Sequence, residues 1–129
     1  MAASSTVERS KGAQGRAHAE LAPMTRDELK TKVGRGGDFK LVETLAPEQF
    51  QETHLPGAIN MPPDRVSELA PKLLPDKQVE VITYCASRTC HASVDAAREL
   101  ITLGYANVRH YAGGKADWVF AGLPVVRSK

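Results

Sequence analysis

Gln78-Val79-Glu80-Val81-Ile82-Thr83-Tyr84-Cys85-Ala86-Ser87-Arg88-Thr89-Cys90-His91 is the stretch that decides the fold. Its first seven residues are rich in β-branched and aromatic side chains, which suit a strand, and the run ends directly at Cys85. From His91 to Leu103 the apolar residues Val94, Ala97, Leu100, Ile101 and Leu103 follow a helical stripe that Gly104 stops. A strand, a six-residue bend and a helix are therefore expected in that order, with Cys85 at the carboxyl end of the strand.

The same alternation continues on both sides. Towards the carboxyl end, Asn107–Tyr111 reads as a strand, Gly113-Gly114 as a turn and Lys115–Ala121 as a short helix. Towards the amino end, Asp64 to about Leu69 reads as a helix closed by a loop at Pro71 and Pro75, and His54–Pro62 as a loop entering a short strand. Pro47 suits the first turn of a helix through Gln51, and Phe39–Glu43 has strand composition. Thr25 and Glu28 form a capping-box pattern for a helix over Thr25–Val33. Residues 1–23 lack apolar periodicity and read as a flexible tail, leaving 24–129 as one domain. Strands alternating with helices imply an open, mostly parallel α/β sheet with helices on both faces. Such sheets bind ligands outside the carboxyl ends of their strands, the position expected for Cys85.

Composition limits the functional classes. The chain of 129 residues is 42% hydrophobic and 25% charged, the balance of a globular protein. Seventeen basic against fifteen acidic residues give +2, and the excess lies in residues 1–37 without a clustered basic face, so no nucleic-acid partner is expected. No apolar run reaches the roughly 20 residues of a membrane span, and no membrane association is expected. Met1–Ala22 is rich in Ala, Ser and Arg, but Glu8 and Glu20 favour a disordered tail over a targeting segment; a cytoplasmic location is the expectation. Cys85 and Cys90 have no second pair and no His-x3-His partner, so neither a metal nor another cofactor is expected. A structural disulfide is not expected across so short a loop.

The chemistry centres on Cys85. A tight strand-to-helix bend makes a nest of backbone N–H groups, and the following helix points its positive end at the same place. Both favour an anion, and a thiolate is one. An unperturbed cysteine has a pKa of about 8.5 and is mostly protonated at neutral pH; lowering it makes a nucleophile. A free cysteine also packs as a small, inert hydrophobe, and the loop by itself leaves both readings open.

Four features of the chain, in order, resemble the rhodanese family over about Met24 to Val126: Leu41-Val42-Glu43; His54-Leu55-Pro56-Gly57-Ala58-Ile59-Asn60; Val81-Ile82-Thr83-Tyr84-Cys85; and Leu103–Val108 continuing through Gly113-Gly114, Trp118 and Gly122-Leu123-Pro124-Val125. The resemblance implies a sulfurtransferase with Cys85 as nucleophile. That cysteine takes sulfane sulfur from thiosulfate or a persulfide or polysulfide donor, holds it as a persulfide, and passes it to a thiol or protein acceptor. It also implies that Ala86, Ser87, Thr89 and Cys90 cradle the persulfide through their N–H groups and that Arg88 holds a small anionic donor. His91 borders this set, and a solvent-facing role is its simpler reading. His54 reads as a hydrogen-bonding loop residue and Trp118 as core.

The chain departs from the family pattern in two places. Glu43-Thr44-Leu45 stands where many members have Asp-x-Arg, and the loop lacks the glycine often found in its middle and carries Cys90 at its end. Phosphatase or arsenate-reductase chemistry on the same fold needs an arginine six positions after the nucleophile, where His91 stands here. A silent binding module usually lacks the cysteine. Cys85 and Cys90 also fit a redox couple in which Cys90 closes a disulfide on a modified Cys85.

Overall fold

The computed structural model describes residues 21–127. Its elements run β1 (Ala22–Pro23), α1 (Arg26–Arg35), β2 (Phe39–Glu43), α2 (Pro47–Glu52), β3 (Ile59–Asn60), a single 3-10 turn (Pro63–Arg65), α3 (Val66–Leu73), β4 (Glu80–Tyr84), α4 (Ala92–Thr102), β5 (Val108–Tyr111) and α5 (Gly114–Phe120). The five strands form one sheet in the order β1-β5-β4-β2-β3, and every pairing is parallel. The expected open α/β sheet is thus present, and it is parallel throughout.

Period two in the strands divides the core into two layers. Val42, Val81 and Val108 face one side, where α3 and α4 supply Val66, Ala70, Leu74, Ala97 and Leu100. Leu41, Ile82, Tyr84 and Tyr111 face the other, against Leu29 of α1 and Trp118 of α5. Because both faces are covered, the central strands are apolar on successive residues and not on alternate ones, which is how β4 reads in sequence. Register is fixed along β2 and β4 from Phe39 opposite Glu80 to Glu43 opposite Tyr84.

Thr25 caps α1, its side chain accepting from the Glu28 N–H at 3.1 Å. That helix runs two residues beyond the expected Val33 and ends at Gly36, whose φ of +75° lets the chain turn out of it. Two expectations need correction. Ala22–Pro23 belong not to a tail but to a strand paired with Arg109 and His110. A proline is acceptable on this outermost strand, where its missing N–H interrupts no ladder, and the Arg109 side chain donates to the Pro23 carbonyl. The rest of the proposed tail lies outside the described residues. Pro71 likewise does not end the helix before it: α3 continues through it to Leu73. The apolar face of Val66, Ala70 and Leu74 is fully buried, and the Tyr105 hydroxyl reaches the carbonyls of Ala70 and Leu74 at the end of the helix. Burial and these bonds offset the local cost of the proline.

An ionic cluster fastens α1 to the sheet. Arg109 on β5 contacts Glu28 at 2.7 Å and Glu80 at 3.2 Å, and Lys32 contacts Glu80 at 2.7 Å. The Arg109 hydrogen bond holds the Glu28 carboxyl below its ordinary range. Among the described residues no helix is long and apolar enough to cross a membrane.

Candidate active site

β4, the sheet's central strand, delivers Cys85 to its carboxyl end, and the residue is fully buried there. The chain then bends through Ala86–Cys90 into α4, with His91 as its amino-terminal cap. The bend holds its shape by contacts on two sides. Inside it, the Cys90 N–H donates to the Ser87 carbonyl at 3.1 Å, and the Ser87 and Thr89 hydroxyls lie 3.1 Å apart. From outside, the first turn of α5 donates to the loop: Lys115 N–H to the Cys85 carbonyl and Ala116 N–H to the Ala86 carbonyl, both at 2.8 Å. With those carbonyls turned towards α5, the N–H groups of Ala86, Ser87, Arg88 and Thr89 have no acceptor among the described residues. Unpaired N–H groups in one short bend make an anion site.

Gly114 makes this docking possible. A Cβ there would stand 2.7 Å from the Cys85 carbonyl oxygen and 2.9 Å from the Ser87 nitrogen, and its φ is +71°. Only glycine combines that close approach with that backbone.

Beneath the loop lies a buried charge pair that the sequence reading did not identify. Glu43 at the end of β2 is fully buried; it accepts from the Tyr84 hydroxyl at 2.7 Å and from Lys115 Nζ at 3.0 Å. Lys115 also donates to the carbonyls of Gln49 and Thr53, so all three of its protons are placed. Thr44 ties the same strand ends together, its N–H and hydroxyl both donating to the Tyr84 carbonyl. Burial, then the Glu43 charge, holds the Tyr84 phenol far above its ordinary pKa, so it remains a donor. Glu43 departs from the Asp-x-Arg pattern, yet it has a cation partner 72 positions away in Lys115. A buried acid in a strand end was the signal; its partner lies too far along the chain to be read from spacing.

On the open side a cleft of about 430 Å³ is lined by Arg26, Arg88, His110, Tyr111 and Asp117. Arg26 is engaged with Asp117 at 2.9 Å, and the Tyr111 hydroxyl donates to Asp117 at 2.6 Å. Arg88 has no carboxylate partner among the described residues, so its charge is available to a ligand. His110 sits 2.8 Å from the Ser93 hydroxyl, and burial lowers its pKa. A larger cavity, about 660 Å³, opens at the opposite, amino end of the strands between Lys40, Gln78, Glu80 and Asn107. Size does not single out the candidate site here; the buried Cys85 and the N–H groups without acceptors among the described residues do.

His91 is exposed and its side chain makes no cap bond, while Trp118 is buried with its indole N–H donating to the Pro124 carbonyl at 2.7 Å. His54 is nearly buried, stacks on Phe50 and bonds its carbonyl through Nδ1. Cys90 overturns an expectation: it is bonded to Cys85 as a disulfide, with the Cα atoms 6.2 Å apart. The turn between Ser87 and Cys90 folds the end of the loop back over its start. That brings the two Cα atoms inside the usual 4.4–6.8 Å range.

Comparison with known proteins agrees with this geometry. A family model described as a rhodanese-like domain matches residues 25–121. An HTH-type transcriptional regulator of Mycobacterium tuberculosis is 32% identical over 102 residues, covering 79% of this chain but 43% of the regulator. The chain thus spans less than half of that relative. The thiosulfate sulfurtransferase PspE of Escherichia coli is 37% identical over 76 residues, 59% of this chain and 70% of PspE. A solved structure described as rhodanese with anions, from E. coli, superposes with a TM-score of 0.57 at 34% identity, covering 68% of this chain and 96% of that one.

Proposed function

This chain belongs to the rhodanese-like domain family, and from that premise we propose that it is a sulfurtransferase working through a persulfide on Cys85. The reduced Cys85 thiolate attacks the outer sulfur of thiosulfate, or of a persulfide or polysulfide, and the remainder of the donor leaves; with thiosulfate the leaving group is sulfite. The outer sulfur then passes to a thiophilic acceptor, regenerating the thiolate. One observation carries the reading: the buried sulfur stands at the carboxyl end of the central strand, in a bend whose N–H groups of Ala86 to Thr89 have no acceptor among the described residues. Those donors suit both the thiolate and the persulfide anion, whose charge moves outward by one sulfur–sulfur bond within the same bend. Arg88, at the cleft and with no carboxylate partner among the described residues, supplies the charge that draws in a small anionic donor. The likeness to PspE and to an anion-bearing rhodanese supports the same donor class.

Intact mass spectrometry of the reduced protein tests this. A sulfane donor should add one sulfur, about 32 Da, and cyanide should remove it. Absence of any adduct on Cys85 with thiosulfate and with polysulfide would reject the proposal.

A further inference from the structure

The geometry points to a second step at the same site, resting on the persulfide reading above: Cys90 resolves the Cys85 persulfide and releases its outer sulfur as hydrogen sulfide. In the simple transfer cycle the acceptor thiol comes from another molecule. Here a second thiol stands in the same loop, half-buried at its rim, and the bond it forms with Cys85 is present in the structure. That bond identifies the step. The Cys90 thiolate attacks the inner sulfur of Cys85-S-SH, a sulfur–sulfur bond forms between Cys90 and Cys85, the bond to the outer sulfur breaks, and that sulfur departs as HS⁻. Atoms and charge balance without an outside oxidant. The sulfane sulfur gains two electrons and becomes sulfide, while the two cysteine sulfurs lose them and become the disulfide.

The product of this reaction is the arrangement observed, so the loop accommodates the resolved state. Cα atoms at 6.2 Å, the Ser87–Cys90 turn bond and the grip of α5 on the carbonyls of Cys85 and Ala86 hold the loop in that geometry. An attacking thiol held in this way has an effective concentration far above that of thiols in solution. The chain then needs an external dithiol to reduce the disulfide before another turnover. The net reaction with thiosulfate is one thiosulfate plus one dithiol giving sulfite, sulfide and a disulfide. This makes the domain a sulfide-producing sulfane reductase, which must be supplied by a reaction that reduces protein disulfides.

The test uses the whole chain, reduced with dithiothreitol, freed of it under inert gas, and mixed with one equivalent of thiosulfate with no thiol present. The parent should release about one sulfide per chain, at a first-order rate independent of protein concentration. It should finish about 2 Da lighter than the reduced chain and regain its mass with dithiothreitol. Cys90→Ser keeps the backbone N–H of the loop; it should stop at the adduct about 32 Da heavier and release no sulfide until a thiol is added. A parent that holds the adduct and releases no sulfide overturns this inference and leaves the persulfide reading standing, and so does a Cys90→Ser chain that releases sulfide as fast as the parent. If neither chain takes up sulfur from thiosulfate or polysulfide, both readings fall.

Discussion

At the scale of the residue, the proposed reaction divides the work between two side chains, one for bond-making and one for binding. In the proposed reaction Cys85 forms the bond, and its place at the buried end of β4 makes the loop N–H groups the donors closest to its sulfur. Replacing it with serine changes little in volume but substitutes a hydroxyl that stays protonated at neutral pH. We expect Cys85→Ser to fold as the parent does and to show less than about one percent of its sulfurtransferase turnover, measured as thiocyanate formed from thiosulfate and cyanide. Turnover close to the parent's would place the nucleophile elsewhere. Arg88 makes no side-chain hydrogen bond or ion pair among the described residues, and its proposed contribution is charge. Since thiosulfate is negative both when bound and when reacting, Arg88→Ala should raise the KM for thiosulfate by about tenfold and lower kcat by less than threefold. A polysulfide donor of lower charge should feel the change less. Equal effects on kcat and kcat/KM would mean that the guanidinium acts on the transition state alone.

At the scale of the element, the decisive contact is between the Cys85 loop and the first turn of α5. Two N–H groups of that turn hold two loop carbonyls, and Gly114 is the point of closest approach. A methyl group there meets backbone atoms that have nowhere to move, on a residue whose φ of +71° disfavours any side chain. Gly114→Ala should therefore lower turnover on the order of 100-fold, as a small misplacement of reacting groups does. The melting temperature should also fall; undiminished activity in steady-state kinetics would show that the loop does not depend on α5. The same contact marks the limit of what the sequence discloses. Helices and strands are legible because their periodicities are local: β4 and α4 on either side of Cys85 follow from composition, and the loop between them follows from their ends. Glu43 with Lys115, Gly114 with Cys85, and Pro23 with Arg109 are contacts across 72, 29 and 86 positions, the separations from 43 to 115, 85 to 114 and 23 to 109. No local pattern records them, so Lys115 went unnoticed and Ala22–Pro23 read as tail. The disulfide was missed for a related reason. Spacing shows that five positions separate the cysteines, but not that a Ser87–Cys90 turn draws them together.

At the scale of the whole molecule, stability depends on groups that join layers, and His110 is one whose protonation the fold disfavours. It lies on β5 between the Ser93 hydroxyl of α4 and the cleft, and burial lowers its pKa from 6.5, so the folded protein holds it neutral more strongly than the unfolded chain does. The sign of the effect follows. Above about pH 6.5 the imidazole is neutral in both states and folding is not penalised. As pH falls below that value the unfolded chain takes up the proton first, and stability declines until the lowered folded value is passed. Glu28 works in a different window. Its carboxyl is held below 4.5 by Arg109, so the stability it contributes is complete above that value and lost only in stronger acid. Between pH 7.5 and 5.5 the contribution of Glu28 is therefore constant, and the effect of His110 is read apart from it. Urea unfolding of the parent should show a lower midpoint at pH 5.5 than at pH 7.5, and His110→Gln, which retains a polar group for Ser93 but cannot take up a proton, should show a smaller drop. Equal drops in the two proteins would assign the pH dependence to another group and leave His110 as a neutral packing residue between α4 and β5.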